Sequence, residues 1–232
     1  MVRIFNRNMF IMLFSIMIGV IIITFFVADI VNRSKIDTLT TYYEGEITTV
    51  KGKSENFTSS FIKSSVILDQ AREDRAYGNY HFDLGFLWYQ SVLYEKNESE
   101  FLIYKGRGIE NCTNAMPSYY YSHLNFEEAK IYFNITKIHT EVDKYLDILD
   151  LYIVLTNSGS TLTMLRYNAS KYLLYLLENL TYDEEKGVIF EENVTGLLDL
   201  FQGAMDAYEE ELEIYEETQD DIDEYEFFEE IR

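Results

Sequence analysis

The chain begins with an apolar run from Met9 to Ala28 that contains no charged residue. Only Ser15, Gly19 and Thr24 interrupt its strongly apolar character. A helix of that length rises by roughly 30 Å, which matches the hydrocarbon thickness of a bilayer. The run also exceeds the apolar region of about 7 to 15 residues that a cleaved signal peptide carries. We therefore predict an uncleaved transmembrane signal anchor over residues 9–28.

The charges on either side of this run predict its orientation. Arg3 and Arg7 precede the run, and Asp29 follows it directly. Because basic residues are retained on the cytoplasmic side, residues 1–8 are expected in the cytoplasm. Residues 29–232 are then expected to form one extracytoplasmic domain.

The N-x-S/T pattern that accepts N-linked glycans occurs eight times, always after the apolar run. Composition alone would produce roughly two such sequons. Asn32 lies only four residues beyond Ala28, too close to a bilayer for ready modification. The seven predicted glycosylation sites are Asn56, Asn97, Asn111, Asn134, Asn168, Asn179 and Asn193. Because glycans need exposure, Asn134, Asn168 and Asn179 should mark outward helix faces.

Beyond Arg33, apolar residues recur at spacings of three, four or seven, as on one face of a helix. They are Ile36, Leu39, Tyr43, Ile47, Val50, Phe57 and Phe61. The pattern predicts a long first helix that runs from the membrane to about Ala71, with a break near Gly52.

The next stretch, residues 71–97, is dense in aromatic residues. We expect these side chains to pack in the core, since aromatic groups bury large areas, and an aromatic-lined ligand cleft is the alternative. Gly106, Gly108 and Pro117 then predict a loop that contains Cys112.

Helical spacing resumes from Phe126 to Tyr152 and predicts a helix that ends at a break over residues 157–159. Ser160 or Thr161 would cap the following helix. Thr195 would cap the last one, which is predicted from Gly196 to about residue 230. Despite its charge, this last helix is expected to dock through a buried stripe of residues spaced at three, four or seven: Met205, Tyr208, Leu212, Tyr215, Ile222 and Tyr225. The fold class is therefore all-α: a single N-terminal transmembrane helix followed by five or six helices, arranged as a helical bundle or a helical-hairpin array.

Two stretches resemble the helical hairpins of tetratricopeptide repeats. Leu84-Gly85-Phe86 with Ser91, in residues 80–97, and Leu124-Asn125-Phe126 with Ala129 and Phe133, in residues 119–137, lie near that family's turn and small or aromatic positions. The resemblance covers less than about a fifth of the chain, and its spacing is about 40 residues instead of 34. It implies a hairpin in each stretch and transfers no binding residue.

Charge restricts the partners. The chain has 40 acidic and 19 basic residues, a net charge of −21. Residues 183–232 hold 20 of the acids but only Lys186 and Arg232 as bases. Such a surface repels nucleic acid, so no nucleic-acid partner is expected. For the final acidic helix we weigh a solvated face against diffuse cation binding.

Catalytic and metal-binding patterns are missing from the sequence. His81, His123 and His139 stand apart, without the spacing of a zinc site, and the phosphate-loop, dinucleotide and nucleophile-elbow motifs do not occur. Cys112 is the sole cysteine, so an unpaired side chain is expected, with an intermolecular disulfide as the alternative. We predict no catalytic, cofactor-binding or metal-ligating residue and no cofactor.

These features favour a membrane-anchored, N-glycosylated cell-surface protein, not an enzyme. Its helical domain would engage a protein partner, associate with itself or build an envelope layer. One alternative is a sensor-type ligand-binding domain that acts with a separate transmembrane partner, because residues 1–8 leave no room for a cytoplasmic output domain. The second alternative is an anchored enzyme of unknown type.

Overall fold

The computed structural model describes the backbone of residues 7–225 and the side chains of residues 30–225. Within that part of the chain there are four helices and one β-hairpin. In chain order they are α1 (Arg7–Leu93), α2 (Glu98–Ile138), α3 (Asp143–Glu178), β1 (Leu180–Asp183), β2 (Gly187–Phe190) and α4 (Thr195–Glu224). The protein is thus all-helical apart from one small hairpin, as predicted, with fewer helices than the five or six expected.

The chain divides into two compact units, residues 1–53 and residues 54–232. In the first unit, the predicted anchor falls within the helical backbone of α1, and its side chains lie outside the described residues. The side chains of residues 30–51 are all exposed. The first unit is therefore a helical segment, and the apolar side chains among residues 30–51 are all exposed to solvent.

The second unit is a four-helix bundle built from residues 54–93 of α1 with α2, α3 and α4. Only four residues separate α1 from α2 and α2 from α3, and such short connections make consecutive helices antiparallel neighbours. Buried α1 residues recur at spacings of three, four or seven, which is the seam of a left-handed bundle. They are Ser64, Leu68, Ala71, Gly78, Phe82, Gly85, Tyr89 and Val92.

Glycine brings α1 and α2 unusually close. A Cβ atom added at Gly78 would lie 2.8 Å from Cε1 of Tyr119, and one at Gly85 would lie 2.8 Å from Sγ of Cys112. Across the same contact Ser122 Oγ donates to the backbone oxygen of Ala71 at 2.7 Å. Small seam residues thus let two long helices pack at short range.

The apolar core has two parts along the bundle. Phe82, Tyr119 and Leu173 belong to the part nearer the hairpin. Leu68 and Phe126 belong to the part at the opposite end. All five side chains are no more than 2% exposed, so apolar burial at both ends of the bundle holds α1 and α2 together, and Leu173 adds α3 to the part nearer the hairpin.

The hairpin was not anticipated from the sequence. Asp183 Oδ1 accepts hydrogen bonds from the backbone of Glu185 and Lys186, at 2.9 and 2.8 Å, and these bonds lower the pKa of the Asp183 carboxyl. Gly187 has a φ of 75°, in the left-handed region that favours glycine. Together they close the turn between β1 and β2, which replaces a direct loop from α3 to α4.

The predicted boundaries of the first helix are wrong. α1 continues beyond Ala71 to Leu93, and Gly52 lies inside it. A Cβ at Gly52 would meet nothing within 4 Å, so this glycine costs only about 1 kcal/mol of helix propensity relative to alanine. The buried seam that continues to Val92 outweighs such a local cost.

Two further predicted breaks are also wrong. Gly106, Gly108 and Pro117 lie inside α2, and residues 157–159 lie inside α3, so Ser160 and Thr161 do not cap a helix. The actual break occurs at residues 139–142, where we expected a continuous helix. At Gly108 and Gly159 the absence of a Cβ makes room for neighbouring core side chains, so these residues serve packing instead of a turn.

The expected tetratricopeptide hairpins are not formed. Residues 80–93 complete α1, and residues 119–137 lie within the uninterrupted helix α2. The small residue Gly85, which suggested a turn, instead faces Cys112 in the seam between the two helices. The shared pattern therefore reflects helix packing and no repeat.

The docking of the acidic last helix is confirmed. Tyr208, Tyr215 and Ile222 are buried, and Met205 and Leu212 pack beside them. α4 begins at Thr195 with Val194 at the cap position, one residue before the predicted cap, and it is described to Glu224. The predicted continuation to about residue 230 falls partly outside the described residues.

In the part of the chain with described side chains, one helix, α3, is long and apolar enough to cross a membrane. Half of its most apolar window is buried inside the bundle. Core helices of ordinary bundles have the same character, and here Leu155, Leu162 and Leu173 fill the core. The apolar composition of α3 is explained by its central position.

Candidate partner-binding surface

All seven predicted glycosylation sites reach the surface of the second unit. Exposed asparagines are Asn56, Asn97, Asn134 and Asn193, and half-buried ones are Asn111, Asn168 and Asn179. The expectation of an outward position is thus confirmed for Asn134, whereas Asn168 and Asn179 are partly covered.

Asn111 differs from the other sequons because its amide is held in the seam between α1 and α2. Its Nδ2 donates to the backbone oxygen of Arg107 at 2.9 Å, and its Oδ1 accepts from His81 Nδ1 at 2.9 Å. A glycan on Nδ2 would have to be accommodated beside this contact. At Asn97 and Asn193, by contrast, Oδ1 accepts backbone hydrogen bonds at the start of a helix and both residues are exposed.

The sequons are unevenly distributed among the bundle helices. No sequon occurs between Asn56 and Asn97, which covers most of the bundle part of α1, and none occurs within α4. These two helices are neighbours: Arg72 Nε donates to the hydroxyl of Tyr215 at 3.2 Å, and the rings of Phe86 and Phe201 stack with centroids 5.8 Å apart. One side of the bundle, formed by residues 57–93 of α1 and by α4, therefore carries no sequon.

An apolar stripe runs along the outside of α1 on this side. We call it the outer stripe; its residues are Val66, Tyr80, Leu87 and Tyr94, exposed by 64%, 60%, 52% and 83%. Their positions differ by multiples of seven, with the exposed Glu73 at the position between Val66 and Tyr80 and with Tyr94 directly after the end of α1. They therefore project in nearly the same direction, away from the buried seam. Aromatic and aliphatic groups exposed in a row are typical of a surface that contacts another protein.

A shallow depression lies at the far end of the outer stripe. It is lined by Phe86, Leu87, Tyr89, Gln90, Ser91, Leu93 and Tyr94. Leu87 and Tyr94 thus rim a concave surface that an apolar side chain of a partner could enter. From the sequence we expected the aromatic segment to pack in the core or, alternatively, to line a ligand cleft, and we did not foresee an exposed stripe. The seven-residue spacing on the face opposite the seam was the signal that could have revealed it.

α4 presents acidic groups on its exposed surface. Twelve of its 30 residues are acidic and none is basic. Glu209, Glu213 and Glu217 are exposed, as is Asp220. The side without sequons therefore combines an apolar row with a strongly negative row, a surface that suits a basic, partly apolar partner.

Two arginines attach α4 to the bundle. The guanidinium of Arg75 lies over the ring of Tyr215 at 4.2 Å, and that of Arg166 lies over Phe82 and Tyr208 at 4.4 and 4.0 Å. Among the described residues, Nη1 of Arg75 and Nε of Arg166 are buried without a hydrogen-bond acceptor. Both guanidinium groups therefore interact with aromatic faces, Nη1 of Arg166 also donates to Sδ of Met205 at 3.7 Å, and the positive charge lies against the acidic helix.

Two of the three histidines, His81 and His123, have structural side-chain partners. His81 forms a hydrogen bond with Asn111. Nδ1 of His123 lies 2.8 Å from Oγ of Ser160, and the Ser160 hydroxyl donates to Oε1 of Glu127 at 2.7 Å. In a catalytic relay the histidine lies between the serine and the acid, whereas here the buried Ser160 is in the middle. Among the described residues no group of three or more potential ligands could hold a metal ion.

Cys112 is unpaired and fully buried. Burial raises the pKa of its thiol to about 12, so the reactive thiolate is scarce at neutral pH. This burial favours the expected unpaired side chain over an intermolecular disulfide. An intermolecular disulfide would require the α1–α2 seam to open, because Sγ lies against Gly85.

The chain matches no protein-family model, no curated protein and no solved structure.

Proposed function

We propose that this chain is a membrane-anchored, N-glycosylated cell-surface protein whose extracytoplasmic bundle binds a protein partner through the side formed by α1 and α4. The observation that carries the proposal is the coincidence of exposed apolar groups with the absence of sequons on this side. Glycans would cover the other helices and leave the outer stripe accessible. The anchor over residues 9–28 and the sequons that follow it supply the cell-surface location.

The proposed partner has basic groups beside apolar ones. Tyr80, Leu87 and Tyr94 offer the kind of aromatic and aliphatic anchors that dominate binding energy when they become buried. The neighbouring carboxylates of α4 would accelerate association with a basic surface and orient it. Their contribution should weaken as the salt concentration rises.

Site-specific photocrosslinking on intact cells tests this surface. A benzophenone amino acid is placed at Tyr80 or Tyr94 of the full chain, and at Tyr175 as a matched control. Tyr175 is 42% exposed but lies on α3, a helix that carries a sequon. We expect a discrete heterologous adduct from Tyr80 and Tyr94 and little from Tyr175. Equal adducts from all three positions, or none from Tyr80 and Tyr94, would contradict the proposed surface.

A further inference from the structure

A second apolar row lies in the first unit of the chain, directly after the predicted anchor. Ile36, Tyr43, Ile47 and Val50 are exposed by 61%, 59%, 65% and 65%. Contact between such apolar side chains and water is unfavourable, so leaving four of them exposed on one helical segment is costly. A covering surface is therefore expected.

The spacing of this row is that of a coiled coil. With Thr40 included, positions 36, 40, 43, 47 and 50 alternate steps of four and three, as the a and d positions of heptads do. Continuing the same steps reaches Phe57 and then the buried bundle seam at Leu68. In the bundle these positions are covered by other helices of the chain, whereas in residues 30–50 they are exposed.

Charge makes a second copy of the chain a suitable occupant. Residues 30–53 carry four basic and three acidic side chains, whereas residues 54–232 carry 13 basic and 36 acidic ones. Two bundles, each with a net charge of −23, therefore repel each other strongly, whereas two copies of this segment, each with a net charge of +1, repel each other only weakly. The segment is the part of the extracytoplasmic chain in which two copies can approach closely.

The flanking charges favour a parallel arrangement. Glu46 occupies a g position, and Lys51 occupies the e position five residues later. In a parallel coiled coil, the g position of one helix faces this e position of the other helix. Asn56 lies at a c position, outside the seam, so its glycan is compatible with pairing.

We propose that residues 36–50 form a parallel two-stranded coiled coil between two copies of this chain. The parallel direction rests on the proposed function, because two anchors in one membrane point their extracytoplasmic helices the same way. Anchoring also confines both copies to one plane, which raises their effective concentration and stabilises a seam of little more than two heptads.

Disulfide trapping in membranes tests this pairing with the full chain. Ile36→Cys and Val50→Cys place a thiol in the seam, and Thr38→Cys places one at the same height on the opposite face. Wild type is the baseline, because Cys112 is buried. A disulfide needs Cα atoms within about 7 Å, which symmetric parallel seam positions approach and outward positions do not. We expect at least about tenfold more dimer from Ile36→Cys and Val50→Cys than from Thr38→Cys.

Equal dimer yields from the three variants, or no dimer from the two seam variants, would overturn the coiled coil. A dimer that forms from Ile36→Cys but not from Val50→Cys would also contradict a continuous seam. The same samples are fractionated and treated with a peptide N-glycosidase, which reports on the anchor and export separately. A glycosylated membrane protein without trapped dimer refutes only the coiled coil, whereas trapped dimer in a soluble, unglycosylated chain supports pairing and refutes the anchor.

Discussion

Gly159→Ala is expected to destabilise the bundle by about 1 to 3 kcal/mol, although alanine normally favours a helix over glycine by about 1 kcal/mol. A Cβ at this position would lie 2.4 Å from Cε1 and 2.5 Å from Cζ of Phe126. The Phe126 ring is fully buried and packs edge to face against Tyr215, so it has no free space into which to move. The clash therefore outweighs the gain in helix propensity.

Chemical unfolding followed by circular dichroism measures this effect. Gly203→Ala is the matched control, because a Cβ there meets nothing within 4 Å, and it should stabilise the protein by about 0.5 to 1 kcal/mol. Adding Phe126→Leu to Gly159→Ala should cost less than the sum of the two single changes, since the smaller side chain relieves the clash. If Gly159→Ala stabilised the protein as much as Gly203→Ala, the packing of α2 against α3 described here would be incorrect.

Raising sodium chloride from about 0.01 to 0.5 M is expected to raise the melting temperature of a fragment from Asn32 to Arg232. Like charges four residues apart, such as Glu209 with Glu213 and Glu213 with Glu217, each cost roughly 0.2 to 0.5 kcal/mol in a helix. Twelve acids without a base in α4 repeat this repulsion along the helix. Salt shortens the Debye length from about 30 Å to below 8 Å over this range, and calcium should act at lower concentrations.

Differential scanning calorimetry at several salt concentrations checks this expectation. Replacing Glu213 and Glu217 by glutamine should raise the melting temperature in low salt and flatten its salt dependence. The control replaces Glu98 and Glu100, which lie in the first turn of α2, where acidic groups favour the helix. That control should not flatten the response. A melting temperature that stays constant from low to high salt would show that α4 is not strained by its own charge.

Periodicity predicted the helical class and the buried face of α4 because both depend on apolar residues that recur over many turns. Tyr208, Tyr215 and Ile222 are such residues, and their burial outweighs the charge around them. The same reasoning failed wherever one glycine was taken as a break. Gly85, Gly108 and Gly159 each face a neighbouring helix at short range, which a sequence alone does not reveal.

The candidate surface was only partly predictable. The positions of the sequons follow from the sequence. The packing of α1 against α4, however, depends on tertiary contacts such as the hydrogen bond between Arg72 and Tyr215. Tyr80 is exposed whereas Phe82 is buried, and the difference between them follows from the register of α1 in the bundle. Aromatic density in residues 71–97 could not separate the two roles.

The export and glycosylation of the bundle are the central claim, and glycopeptide mass spectrometry on native protein tests them most directly. We expect glycans on several of the seven sites, with high occupancy at Asn97, Asn134 and Asn193, which are exposed. Asn111 should be the least occupied, because its amide is held between α1 and α2. Seven unmodified asparagines in native material would contradict an exported, glycosylated cell-surface protein.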